Sequence, residues 1–162
     1  MNQSLQNNNA EKKLVLLKKR ALYYLGKREY SKKELHEKIT PFSETLELTR
    51  QQVNQILTEL ESKDWLSDRR FADQFIFSKK RKFGLKKMEY ELKMRGVNEI
   101  IIHNALNEIK SEEYNLAKNI WEKKFRKLPE NPEERLKQMR FLQSRGINSA
   151  LIHQILSGKL SE

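Results

Sequence analysis

Arg69, Arg70, Lys79, Lys80, Arg81, Lys82, Lys86, Lys87, Lys93 and Arg95 crowd one stretch of this chain, interrupted only by the acids Asp73, Glu89 and Glu91. Fixed cations at that density suit phosphate oxygens or an acidic protein surface, and such binding weakens steeply with salt because counterions are released. The whole chain leans the same way: 33 of its 162 residues are Lys or Arg against 22 Asp or Glu, a formal charge of +11. A solvated, self-repelling surface explains part of that excess but not its concentration in one stretch. No helix carries an Asn, Gln or Arg pattern suited to base edges, so DNA, single- or double-stranded, is expected to be bound without sequence specificity.

Other chemistries find little support. There is no phosphate-cradling glycine loop, nucleophile elbow or cluster of catalytic carboxylates, and an enzyme is not expected. His36, His103 and His153 have no partner at metal-ligand spacing and read as boundary residues, so neither a metal nor another cofactor is expected. Trp65, Phe71 and Trp121 have the chemistry to stack on bases, yet each adjoins an apolar stripe and is assigned to the core. The absence of cysteine excludes disulfides and thiolate sites. No apolar run approaches the about 20 residues of a membrane helix, and Met1 to Asn9 lacks the pattern of a signal peptide. A cytoplasmic protein with no membrane partner is the expectation.

The elements that must hold these cations are helices. Glycine and proline number 5 and 3, strand signals are scarce, and good helix formers dominate, which makes the fold all-α. Leu92-Lys93-Met94-Arg95-Gly96-Val97-Asn98 returns as Leu142-Gln143-Ser144-Arg145-Gly146-Ile147-Asn148, and the apolar positions after each glycine stay in register. A fainter copy has Leu48-Thr49 ahead of Val53, Ile56, Leu57 and Leu60. Thr49, Asn98 and Asn148 are suited to cap the helices that follow, with Leu48–Val53, Val97–Ile102 and Ile147–Ile152 as hydrophobic staples. Gly96 and Gly146 supply the left-handed residue that closes the preceding helices.

Along the chain, an amphipathic helix runs from Leu14 to Leu25, and a second starts at Ser31 in a Ser-x-x-Glu box and is expected to stop at Thr40-Pro41. A third runs from Thr49 to about Lys63. Ser67 or Asp68 caps a fourth that ends in Lys79–Lys82, followed by Leu85–Arg95 and by Asn98 to about Lys110. The last three begin near Glu112, at Asn131-Pro132 and at Asn148. The predicted organisation is a disordered tail over 1–11 and three-helix repeats over 12–64, 65–110 and 111–160.

On these residues the sequence resembles the RecX family, regulatory proteins that bind the RecA recombinase. The segment Trp65-Leu66-Ser67-Asp68-Arg69-Arg70-Phe71-Ala72 is similar to the family's aromatic-Leu-x-Asp-x-x-Phe-Ala signature. Ala21, Leu25, Ser31 and Glu34-Leu35 precede it in the expected order, and Arg81, Gly84, Glu91-Leu92 and Arg95-Gly96 follow. Two turns depart from the pattern: Asp64 stands where glycine is usual, and the loop from Pro41 to Glu47 is longer. The resemblance implies tandem three-helix repeats in an elongated, curved array that lies along the RecA–DNA filament and dampens its ATP hydrolysis and strand exchange. The ten cations named above are then the expected contacts to RecA or DNA. The rival expectation is a non-specific DNA-binding protein with helix-turn-helix-like units; in either case a monomer is expected.

Overall fold

In the computed structural model, residues 2–158 are described, and among them the secondary structure is helical throughout. The nine α-helices of these residues are α1 (Asn2–Leu25), α2 (Lys32–Thr45), α3 (Arg50–Ser62), α4 (Asp68–Lys79), α5 (Leu85–Met94), α6 (Glu99–Asn107), α7 (Glu113–Phe125), α8 (Pro132–Ser144) and α9 (Ser149–Leu156), with a 3₁₀ turn at Lys110–Glu112. They form three successive triplets. Helix α1 extends back to Asn2, through the segment expected as a tail, and no glycine or proline interrupts it. The last two residues of the expected third repeat, 159–160, lie outside the described residues.

The chain divides into two compact units, the first holding the residues to Phe71 with Arg95–Val97, the second Ala72–Met94 and the residues from Asn98. In the first unit Leu17, Ala21, Leu35, Ile39, Val53, Ile56, Leu57 and Leu60 form one buried cluster from α1, α2 and α3. In the second unit Ala117, Ile120, Trp121, Leu142, Ile147, Ile152, Ile155 and Leu156 form another from α7, α8 and α9. Each set recurs at helical spacing and is the reason the helices pack.

The expected caps are present. Thr49 and Gln52 make a reciprocal capping box, and Asn98, Asn131 and Asn148 accept from the amides of Ile100, Glu134 and Leu151. Ser31 Oγ accepts from the Glu34 amide at 3.1 Å, while the Glu34 carboxylate turns to Arg28 and Arg95. Ser67 Oγ accepts from the Arg70 amide at 3.3 Å and so caps α4. Asp68 acts elsewhere: its Oδ1 accepts from the Lys32 amide at 2.8 Å, at the first turn of α2. Burial pushes the Asp68 carboxyl above its ordinary pKa, and the Lys32 hydrogen bond opposes that rise.

Two expectations need correction. Pro41 does not stop α2, which continues to Thr45. The residues beyond the proline earn the extra turn: Ser43 is buried, and Phe42 and Leu46 pack on the first core. Hydroxyls serve the carbonyls around it, Thr40 Oγ1 donating to His36 O and Ser43 Oγ to Thr40 O, both at 2.7 Å. Trp65 is not core but 46% exposed, with the Lys18 and Lys63 ammoniums 5.8 and 5.1 Å from its ring. Its neighbour Leu66 takes the buried place, whereas Phe71 and Trp121 are buried as expected.

Inside each unit the same joint recurs. In the first, Ser31 Oγ donates to Arg95 O at 2.7 Å, and a Cβ on Gly96 would lie 2.8 Å from Lys33 Cβ. In the second, Gly84 N donates to Arg145 O at 2.7 Å, and a Cβ on Gly146 would lie 2.4 Å from the Lys87 backbone nitrogen. Each Arg-Gly pair thus seats its carbonyl on the start of another helix, α2 or α5. Gly96 and Gly146 have φ of +75° and +79°, so glycine is needed there both for conformation and for closeness.

Candidate polyanion-binding face

Carboxylates hold several of the ten predicted cations. Arg70, at the start of α4, donates from Nε to Glu29 Oε1 at 2.9 Å and from NH1 to Asp64 Oδ1 at 2.8 Å, and these bonds, Glu29 first, raise its pKa. Arg95 Nε lies 3.3 Å from Glu34 Oε1. Lys93 sits between Glu89 Oε1 at 2.9 Å and Glu99 Oε1 at 3.3 Å, which raise its pKa in that order. Lys80 Nζ is 3.7 Å from Glu112 Oε2. Lys87 Nζ donates to Ser144 O at 3.4 Å and lies 4.6 Å from the Phe83 ring centroid. Arg69, Arg70 and Arg95 belong to the first unit and the other seven to the second, so the ten do not form one site in either.

Within the second unit a different grouping appears. Arg81, Lys82, Lys123, Lys124 and Arg145 surround a concavity whose other walls are Ile120 and Phe141, with no acidic residue lining it. Three helix ends supply the cations. Helix α4 runs out into a turn in which Lys82 N and Phe83 N donate to Lys79 O, carrying Arg81 and Lys82 beyond the helix. Lys123 and Lys124 lie in the last turn of α7, and Arg145 is the C-cap of α8. The negative ends of the helix dipoles favour cations there even without a ligand. Phe141 stacks edge-on with Phe125, ring centroids 5.3 Å apart, and the Arg145 guanidinium lies 5.0 Å from the Phe141 centroid.

Of the ten residues named from sequence, only Arg81 and Lys82 line this concavity; Lys79 and Lys86 lie in the same unit, Lys86 on a second depression with Lys87 and Tyr90. Sequence reasoning missed Lys123, Lys124 and Arg145. The signals were there: Lys123-Lys124 closes α7 much as Lys79–Lys82 follows α4, and Arg145 holds the place of Arg95 in the repeat. Linear density favoured the middle repeat, whereas the concavity draws on two repeats.

Such a face can bind phosphates or carboxylates. Among the described residues no three His, Cys, Asp or Glu side chains are placed to share a metal ion, and no helix is long and apolar enough to cross a membrane.

Residues 67–106 match the family model described as RecX, second three-helix domain, and residues 111–156 the one described as RecX, third three-helix domain. The chain is 38% identical over 142 residues to the regulatory protein RecX of Chromobacterium violaceum, covering 88% of this chain and 90% of that protein. It is 34% identical to the regulatory protein RecX of Ralstonia pickettii, covering 88% and 87%. The crystal structure of RecX from Lactobacillus salivarius superposes with a TM-score of 0.73 at 18% identity, over 91% of this chain and 96% of that one, a likeness of fold. With two consecutive three-helix domains matched and relatives aligned over most of its length, the chain belongs to the RecX family of regulatory proteins.

Proposed function

We propose that this protein is a non-enzymatic regulator that binds RecA recombinase filaments on DNA and inhibits or modulates their ATP hydrolysis and strand exchange. The observation that carries the binding half of this reading is the concavity of five cations, Arg81, Lys82, Lys123, Lys124 and Arg145, lined by no carboxylate. Such a face attracts the phosphate backbone or an acidic protein surface, and Lys79, Lys80, Lys86 and Lys87 of the same unit add to its field. Arg70, Lys93 and Arg95 serve mainly to hold the fold in this reading, because they are paired with carboxylates at 3.3 Å or less, whereas Lys80 lies at 3.7 Å from Glu112 and Arg69 stays among the candidate contacts.

Regulation follows from differential binding. A ligand that fits one arrangement of filament subunits better than another holds that arrangement and slows the rearrangements that hydrolysis and exchange require. No active site of its own is needed. The protein acts as a monomer in the cytoplasm, within recombinational DNA repair and the SOS response.

The test is binding of purified protein to preassembled RecA–DNA filaments and to bare DNA in parallel across a salt series, with RecA ATP hydrolysis followed throughout. Tighter filament binding with suppressed hydrolysis is the expected result. Equal affinity for both, fading together with salt and sparing hydrolysis, leaves only a non-specific DNA-binding protein.

A further inference from the structure

The end of α1 carries a cluster that the basic concavity does not include. Tyr23 and Tyr24 meet edge-on, ring centroids 5.6 Å apart, and Tyr24 lies 6.2 Å from Tyr30. Tyr24 and Tyr30 belong to the first core, but Tyr23 is 55% exposed and does little for packing. Four cations lie over these rings. Lys27 Nζ is 4.2 Å from the Tyr23 centroid, the Arg20 guanidinium 6.0 Å from Tyr23 and 5.4 Å from Tyr24, Lys38 Nζ 5.4 Å from Tyr24, and the Arg28 guanidinium 3.6 Å from Tyr30.

The nearby acids are engaged: Glu29 with Arg70, and Glu34 with Arg28 and Arg95. Among the described residues no carboxylate pairs with Arg20, Lys27 or Lys38: Arg20 and Lys38 lie over aromatic rings, and Lys27 lies over the Tyr23 ring and hydrogen-bonds its hydroxyl, which holds the Tyr23 pKa below its ordinary value. A cation held on an exposed ring gains only about 0.5–1 kcal/mol. A phosphate oxygen is a stronger partner. Phosphates at this face would compete for Lys27 and Arg20 and leave the Tyr23 ring open to a flat aromatic ligand.

A ligand that offers regularly spaced phosphates and unpaired π-faces together is single-stranded nucleic acid, in which bases stack on aromatic side chains while the backbone follows the cations. A duplex offers the phosphates but keeps its base faces stacked internally. We propose that the Tyr23–Tyr24 face of the first unit, flanked by Arg20, Lys27 and Lys38, is a base-stacking site for single-stranded nucleic acid. The site lies outside the second unit and does not depend on the filament reading.

The experiment measures binding of the full chain to a fluorescently labelled oligothymidine and to an abasic phosphodiester strand of equal length and charge, by anisotropy. Wild type is expected to bind oligothymidine more tightly than the abasic strand. Tyr23→Ala removes most of that preference, weakening oligothymidine binding about fivefold or more, the low end for one stacked base. Tyr23→Phe retains the preference, because the ring and not the hydroxyl stacks. Equal binding of the two strands by wild type, no binding of oligothymidine, or unchanged oligothymidine affinity in Tyr23→Ala overturns the proposal. Neutralising Arg81 and Lys123 tests the second unit separately and leaves the ratio of the two affinities unchanged if stacking occurs at Tyr23.

Discussion

Replacing Gly84 by alanine tests the joint that sets the start of α5 against the end of α8 and thereby brings cations of two repeats onto one face. An alanine Cβ at Gly84 would stand 2.5 Å from Gly146 O, 2.7 Å from Gly146 C and 2.9 Å from Ile147 Cγ1. Two of those atoms are backbone, so no side chain can swing aside to make room. Overpacking of this kind costs about 1–3 kcal/mol. Separating the strands of chain also lengthens the 2.7 Å hydrogen bond from Gly84 N to Arg145 O, a further loss of about 1 kcal/mol. The sum is about 2–4 kcal/mol, a large share of the 5–15 kcal/mol typical of a domain. The chain's two tryptophans report on separate units, Trp65 exposed in the first and Trp121 buried at 6% in the second. In a Trp65→Phe background, urea unfolding followed by Trp121 emission should shift to a lower midpoint in Gly84→Ala with the slope unchanged. A change below about 0.5 kcal/mol would refute the close approach and, with it, the account of how the concavity is assembled.

Four further outcomes are expected. Asp68→Ala leaves the Lys32 amide without its acceptor and should cost about 0.5–2 kcal/mol by urea titration, while Asp68→Asn keeps the acceptor and costs less. Because burial raises the folded pKa of Asp68, its charged form is disfavoured in the native state; the associated stability is present below the unfolded value of about 3.9 and lost as pH rises through the folded value, so Asp68→Asn should gain on wild type over that window. Glu47→Gly should stabilise the protein by about 0.5–1 kcal/mol in thermal melts, since Glu47 holds φ of +56° with an exposed side chain whose ion pair to Lys13 contributes little. Hydrogen bonds from Lys18 and then Lys63 lower the Glu59 pKa to about 2, so an NMR titration should find that carboxylate still charged near pH 3, and Lys18→Met should move its midpoint upward.

The helices were legible because their ends are written locally. Thr49, Ser67, Asn98, Asn131 and Asn148 each announce a start within four residues, and the apolar period fixes the face that packs. Pro41 misled for the opposite reason: burial of Ser43 and packing of Phe42 and Leu46 are tertiary gains that outweigh a local breaker. Trp65 misled because position beside a stripe does not say which of two neighbours turns inward, and Leu66 does. Gly84, in sequence only one residue of the family resemblance, proves to be a contact with Gly146, far along the chain. The candidate face was legible only in part. Charge density along the sequence marks Arg81 and Lys82 among ten cations, but only the packing of α4, α7 and α8 brings Lys123, Lys124 and Arg145 beside them, while Arg70 and Lys93 are held by acids. Of the two departures from the family pattern, Asp64 sits at positive φ, where glycine would be less strained, and the segment from Pro41 to Glu47 is largely the last turn of α2 rather than a loop.

The most direct test of the central claim compares wild type with a variant in which Arg81, Lys82, Lys123 and Lys124 are replaced by glutamine, using Trp121 emission to verify that the second unit is folded. Filament binding and suppression of RecA ATP hydrolysis should both fall, and the slope of log affinity for bare duplex against log salt should flatten by about 0.9 for each phosphate contact removed. Unchanged filament affinity, hydrolysis and salt slope in the folded variant would contradict the assignment of this face.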